Sequence, residues 1–161
     1  MFRRIFESIG DIMTKYENGK RVCARGITFI NNKIILIERH RKINDEILHY
    51  FTIPGGGVED NESYEEAAVR ETYEETTVET KAIKYLKKED YGEGIVYWYF
   101  LEYISGTPTL GGEELERNSL NNHYQVVLVS IDEIDNLNIL GEGKTLIKNT
   151  YEEYKKVKEN L

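Results

Sequence analysis

Glu71, Glu74 and Glu75 fall at i, i+3 and i+4 of a segment that reads as helix, so their carboxylates project from one face within reach of a common point. Three like charges so placed repel one another. The arrangement is stable as a fully solvated acidic face, the ordinary fate of glutamates on a helix in an acidic protein, or with cations between the carboxylates. Hard oxygen donors of this kind suit Mg2+ or Mn2+, which keep part of their water shell and bind substrate phosphates at the same time.

The helix that must carry them is marked at its start. Ser63 can accept from a free backbone N–H while Glu66 reaches back to the cap, so the helix is expected to begin at about Tyr64. From there to about Thr76 neither Gly nor Pro interrupts, Ala67 and Ala68 favour helix, and Glu66 with Arg70 and Arg70 with Glu74 are i,i+4 pairs of opposite charge. Ahead of it lies a β-like run from Ile47 to Ile53, then Pro54 and the glycines Gly55, Gly56 and Gly57. A backbone without side chains can turn sharply there and approach a ligand closely.

With these residues in place, the stretch from Gly55 to Val78 resembles the signature box of the Nudix hydrolases. Gly56, Glu62, Arg70, Glu71, Glu74, Glu75 and the closing apolar Val78 occupy positions of that box, and the sequence FTIPGGG at 51–57 is similar to its usual lead-in. Two positions depart. Thr72 stands where an aliphatic residue is usual, so its hydroxyl needs a partner, the carbonyl one turn back being the candidate. Thr77 stands where glycine normally ends the helix; a β-branched residue in the left-handed region costs about 1–2 kcal/mol, so a different helix ending is expected.

The resemblance covers roughly positions 21 to 140 and implies an α/β Nudix fold, a mixed β-sheet sandwiched between α-helices. It implies a Mg2+- or Mn2+-dependent pyrophosphohydrolase acting on a nucleoside diphosphate linked to another moiety. Glu71, Glu74, Glu75 and the Gly55 carbonyl would be metal ligands, and the backbone of Gly56 and Gly57 would lie against substrate. Arg70 would orient the glutamates, and Glu71 or a glutamate from a later loop would accept the proton. Glu114, in the run GGEELERN at 111–118, is the first choice for that later glutamate and Glu116 the second; the alternative for this run is an exposed acidic turn. The same fold also serves as a non-catalytic module that senses nucleotide-like ligands, but the intact glutamate set argues for an enzyme. An isomerase of an allylic diphosphate on this fold needs acid–base residues that the sequence does not display.

Basic side chains are the next candidates for the anionic substrate. Arg39, Arg41 and Lys42 follow the second expected strand, and an arginine offers a paired donor fork for phosphate; a solvated loop cluster is the other reading. Arg25 lies inside the first strand, where an inward charge calls for a substrate contact or a carboxylate partner. The proline expected downstream of the box in ADP-ribose hydrolases is absent, with Gly92 to Gly94 in that region. Nucleoside triphosphates, oxidised nucleotides and nucleotide sugars therefore all stay open.

Composition agrees. With 161 residues the chain suits one domain able to bury a core. The 29 acidic against 21 basic residues give a net charge of −8, which argues against a long nucleic acid or an anionic membrane as partner. The lone Cys23 excludes an intramolecular disulfide, and a reducing cytoplasm is the expected setting. Positions 1–20 read as an N-terminal extension, with Ile5, Phe6, Ile9, Ile12 and Met13 on the apolar side of a short helix; positions 21–161 read as the single Nudix domain. Docking of that helix on the domain or on a second subunit, as in a homodimer, is favoured over a membrane surface because its basic charge is limited to Arg3, Arg4 and Lys15.

The rest alternates strands and helices without repeats. Strands are expected over Arg21–Ile30, Lys33–Glu38, Thr80–Lys88, Ile95–Ile104 and Tyr124–Val129, with a short helix near Ile131–Leu137 and a longer one over Lys144–Asn160. In Ile95–Ile104, alternation sets Tyr97, Tyr99 and Leu101 against Trp98 and Phe100, which fits a central strand packed on both faces better than a nucleobase platform. His40, His49 and His123 show no metal-ligand spacing along the chain and are expected to serve locally.

Overall fold

The computed structural model describes residues 14–159. The helix expected around Ile5 to Met13 lies outside the described residues. Eight strands, β1 Tyr16–Glu17, β2 Lys20–Ile30, β3 Lys33–Ile43, β4 Glu46–Thr52, β5 Gly55–Gly57, β6 Glu79–Asp90, β7 Gly94–Ser105 and β8 Asn122–Ser130, form one sheet. The helices are α1 Tyr64–Thr76, α2 Gly112–Arg117 and α3 Gly143–Glu159, with a 3-10 turn at Ile131–Asn136. The main path runs β4-β3-β2-β7-β6; β1 and β5 pair with β2, and β8 pairs with β3.

Turn chemistry accounts for the first three hairpins. Asn18-Gly19, Asn31-Asn32 and Asn44-Asp45 each place both central residues at positive φ, between 49° and 75°. Those are the values of the tight turn whose twist matches that of paired strands, and Asn, Asp and Gly tolerate them best. The first hairpin carries residues 16–17 into the sheet, with Tyr16 opposite Arg21. Glu17 is in turn opposite Lys20, at the start of β2.

The pairing of β2 with β7 is parallel, from Arg21 opposite Gly94 to Phe29 opposite Glu102, and the other strand pairs are antiparallel, so the sheet is mixed. A parallel strand buried on both faces reads as continuously apolar. That is the sequence of β7, whose Val96, Trp98 and Phe100 pack on one face with Phe29, Leu36, Phe51, Ile53 and Ile147 of α3. Its Tyr99 and Leu101 pack on the other face with Val22, Ala24, Val58 and the α1 residues Ala67 and Ala68. Alanines at the contact let α1 lie close to the strands. Tyr151 and Tyr154 of α3 close the first face on Phe29, ring centroids 5.4 and 5.0 Å apart.

Strand β3 runs five residues beyond its expected end. Glu38, Arg39, His40, Arg41 and Lys42 stay extended because β4 flanks them over the whole run and β8 as far as Arg41. The polarity of Arg39, Arg41 and Lys42 suggests a loop, and pairing with β4 and β8 overrides it. Arg39, Arg41 and Lys42 are thus fixed strand positions with alternating directions, not a loop cluster. A second difference is α2, where a turn was read. No helix among the described residues is long and apolar enough to cross a membrane.

Candidate active site

Helix α1 spans the expected residues, and Ser63 caps it by accepting from the Glu66 N–H at 3.1 Å. Arg70 organises the face it presents. Its Nε and Nη2 donate to Glu62 Oε2 and Oε1 at 2.7 and 2.8 Å, its Nη1 donates to Glu71 at 3.0 Å and Glu74 at 3.1 Å, and Nη2 also donates to the Gly57 carbonyl at 2.9 Å. One guanidinium therefore ties the helix to the loop before it and to the glycine turn. Burial works against the charge of Glu62, but the Arg70 bonds and the Glu59 N–H hold its carboxyl below the ordinary glutamate range. Arg70 is in turn held more firmly protonated, chiefly by Glu62.

The glycine turn is built against these carboxylates. Gly26 donates to Pro54 O and Val58 donates to Val22 O on either side of the β2–β5 pairing, so Gly55 and Gly57 occupy its non-hydrogen-bonded positions. Backbone groups at such positions point away from the partner strand. The Gly55 N–H accordingly reaches Glu75 Oε2 at 3.2 Å and the Gly57 carbonyl reaches Arg70, which puts the Gly55 carbonyl on the same outward edge. A Cβ on Gly56 would lie 2.5 to 2.7 Å from the Glu71 carboxyl atoms. Only glycine fits beside that carboxylate.

The C-terminal end of α1 corrects the expectation for Thr77. Its φ of 61° and ψ of 15° are left-handed, and its N–H caps Tyr73 O, as a terminal glycine's would. The Thr77 hydroxyl donates to Thr107 O at 2.9 Å, while Thr109 and Gly111 N–H groups donate to Thr76 O and Glu75 O, each at 2.9 Å. These bonds offset the local strain and satisfy carbonyls that a helix end leaves free. They also dock residues 107–111 on α1. Thr72, by contrast, is fully buried with its hydroxyl unpartnered among the described residues; the carbonyl bond expected of it is made by Thr76, to Thr72 O at 2.6 Å.

Docking of that loop starts α2 beside α1 and brings Glu114 to the glutamates, while Glu116 is exposed. Burial, then the charges of Glu74 and Glu114, push the Glu71 carboxyl up to about 7 against the opposing pull of Arg70. Burial and the Glu114 charge raise Glu75 well above its ordinary value, with Arg25 opposing, and burial raises Glu114. Desolvated carboxylates that repel one another are a donor set in need of a cation, and hard oxygens of this number fit Mg2+ or Mn2+. Arg70 holds Glu71 and Glu74 while the Gly55 N–H holds Glu75, so their oxygens are engaged separately and are not gathered at one point.

The basic candidates divide. Arg25 donates to Ile53 O at 2.7 Å, and its charge acts on Glu75. Arg39 lies between Tyr50 of β4 and Tyr124 of β8, its guanidinium 5.2 and 4.5 Å from their ring centroids. Its Nη2 donates to Tyr124 Oη at 2.7 Å, and its charge counters the rise at Glu114. Arg39 Nε and Asn122 Oδ1 are buried and without partners among the described residues. Arg41 lies two residues farther out and is exposed. Tyr50, Tyr124 and Asn122 were not legible as site residues, because their placement beside Arg39 depends on two strand registers. Lys15 was likewise unmarked, and it donates to Glu62 O at 2.5 Å.

Similarity to known proteins bears on the same segment. Over 109 residues, 63% of each chain, the sequence is 36% identical to the ADP-ribose pyrophosphatase of Methanocaldococcus jannaschii, so the match spans less than two thirds of that relative's length. A NUDIX-family hydrolase from Clostridium perfringens superposes with a TM-score of 0.62 at 14% identity, covering 83% of this chain and 97% of that one. A MutT structure, from work on Aliivibrio salmonicida and Vibrio cholerae, superposes at 0.57 with 21% identity, covering 83% and 98%. At these identities the structures speak for the fold. The NUDIX domain model matches residues 20–147, most of the chain and every site residue above except Lys15, and the chain therefore belongs to the Nudix family.

Proposed function

We propose that this chain is a metal-dependent pyrophosphohydrolase that cleaves the phosphoric anhydride of a nucleoside diphosphate linked to another moiety. The observation that carries this reading is the approach of α2, from a distant segment, to α1, which sets the charge of Glu114 acting on the half-buried Glu71 and the buried Glu75 beside the glycine turn. A solvated acidic face would not raise their proton affinities in this way.

Glu71, Glu74, Glu75 and the Gly55 carbonyl would hold Mg2+ or Mn2+. When bound, the ions would neutralise diphosphate oxygens and make an attacking water more acidic. Arg70 would keep Glu71 and Glu74 oriented and would not touch substrate. Glu71 or Glu114 would accept the water proton. Attack at phosphorus would break one P–O bond of the anhydride and release two phosphorylated products. The backbone of Gly56 and Gly57 would lie along the diphosphate, with Arg25 and Arg39 supplying positive charge. Arg39 Nε and Asn122 Oδ1 would offer a free donor and acceptor to the rest of the molecule. Arg41, farther out, would act on the approach of an anion.

ADP-ribose is the first substrate to assay, given the name of the archaeal relative, beside nucleoside triphosphates, oxidised nucleotides and nucleotide sugars. Release of two phosphorylated products in Mg2+ or Mn2+, abolished by Glu75→Gln, is the expected result. Wild-type turnover in both Glu74→Gln and Glu75→Gln would overturn the assignment, and tight binding of a nucleotide without hydrolysis would identify a sensing module instead.

A further inference from the structure

The strand pairing that sets Arg39 between two tyrosines sets another row on the opposite face. His40 of β3 is directly opposite His49 of β4 and opposite His123 of β8, and Glu38 is two residues before His40 on the same face. This face belongs with Leu36 and Phe51, away from the glutamates of α1. Single ligand atoms of Glu38, His40 and His49 all lie within 4.8 Å of one another, the one such group of three or more Cys, His, Asp or Glu among the described residues.

From this geometry we propose a second cation site, made by Glu38, His40 and His49 with His123 as a further ligand, for a transition metal of the Zn2+ class. A cation bound there would be independent of any hydrolase activity. Imidazole nitrogens with one carboxylate select Zn2+, Ni2+, Co2+ or Cu2+ over Mg2+ and Mn2+, so the site differs in chemistry from the all-oxygen set on α1. His49 Nε2 and Glu38 Oε2 are 3.0 Å apart, close to the roughly 3.3 Å edge of a tetrahedron with metal–ligand bonds of about 2.0–2.1 Å.

The ring geometry shows what must move for a cation to bind. His40 and His49 stack with ring centroids 4.1 Å apart and planes 10° from parallel, so their in-plane lone pairs do not yet converge. The His49 side chain is 47% exposed on the edge strand and has room to turn, whereas Glu38, at 21%, is the more fixed partner. His123, with its ring centroid 6.2 Å from that of His40, is exposed and can swing inward. A bound cation would fasten β4, β3 and β8 together at the chain neighbours of Tyr50, Arg39 and Tyr124. Its occupancy would thereby stiffen the row that faces Glu114.

The test uses untagged full-length protein, since a polyhistidine tag would compete. Zn2+ is titrated calorimetrically in excess Mg2+, and Cu2+ binding is followed by electron paramagnetic resonance. The expected result is one Zn2+ site weakened about tenfold or more, on the order of 1.4 kcal/mol, by His40→Ala and by His49→Gln but unchanged in Glu75→Gln, with nitrogen couplings in the Cu2+ spectrum. His49→Gln, on the exposed edge, guards against a folding defect in His40→Ala. Absence of Zn2+ binding in wild type, equal affinity in His49→Gln, or loss of the site in Glu75→Gln alone would each overturn the proposal. The last outcome would assign the ion to the α1 glutamates.

Discussion

Arg70 grips Glu62 through two hydrogen bonds, Nε to Oε2 at 2.7 Å and Nη2 to Oε1 at 2.8 Å, and spends the rest of its guanidinium on Glu71, Glu74 and the Gly57 carbonyl. A lysine cannot reproduce a fork that serves four partners at once. Arg70→Lys is therefore expected to raise the Mg2+ concentration for half-maximal activity and to lower kcat about 10- to 100-fold, the range for residues that orient metal ligands. A metal titration of turnover checks it. An unchanged Mg2+ requirement would show that Arg70 serves stability alone.

Glu114 and Glu116 lie on the same short helix, but only Glu114 bears on Glu71 and Glu75. Glu114→Gln is expected to reduce kcat by about 100-fold or more, as for a lost general base or ligand, and Glu116→Gln to leave it near wild type. Steady-state kinetics on the identified substrate compares the two. The reverse order would move the candidate residue to the outer face of the helix.

The glutamates make the metal-free protein sensitive to pH in a defined direction. Glu71 keeps its proton up to about 7 when folded, whereas the unfolded chain releases it near the ordinary 4.5. The folded state binds more protons between those values, so stability falls as pH rises through that window, by a few kcal/mol at most. Glu62 has the opposite sign; its contribution is full above the ordinary value and is lost only as pH falls below it. Thermal melts in EDTA should drop between pH 5 and pH 8, and Mg2+ should recover more at pH 8. Equal Mg2+ stabilisation at both values would contradict the burial of these carboxylates.

Thr72 hides an unpartnered hydroxyl. Thr72→Val keeps the shape and removes the desolvated polar atom, so a gain of about 1 kcal/mol is expected, or about 2–4 °C in Tm for a chain of this size. A lower Tm would mean that a water or a partner satisfies the hydroxyl in solution.

At Thr77, Thr77→Val keeps β-branching and loses only the bond to Thr107 O. A loss of about 1 kcal/mol is expected, together with a lower kcat, since the loop that carries Glu114 is anchored there. Chemical denaturation and turnover measured on one preparation separate the two effects.

Much of this was legible in the chain because it is local. The Ser63 cap, the i,i+3 and i,i+4 glutamates, the glycine turn and the alternation along β7 each lie within a dozen residues, where spacing alone fixes geometry. Arg39 was legible as a charge but not as a tyrosine-flanked strand position, because its neighbours come from β4 and β8. The histidine row escaped for the same reason: Glu38, His40, His49 and His123 have no common spacing until two registers are known. Thr77 shows a different limit. Propensity predicted another helix ending, and tertiary bonds from residues 107–111 overrode it.

The parallel pairing of β2 with β7 has a kinetic meaning. Val22 meets Ile95 and Ile34 meets Val129, contacts that close long loops before they repay the entropy. Helix α1 can nucleate from nearby residues, whereas the approach of Glu114 needs a contact across the whole of β6 and β7. Divalent-cation affinity should thus report arrival at the complete native topology, and the time course of its recovery during refolding should lag behind the recovery of helical circular dichroism.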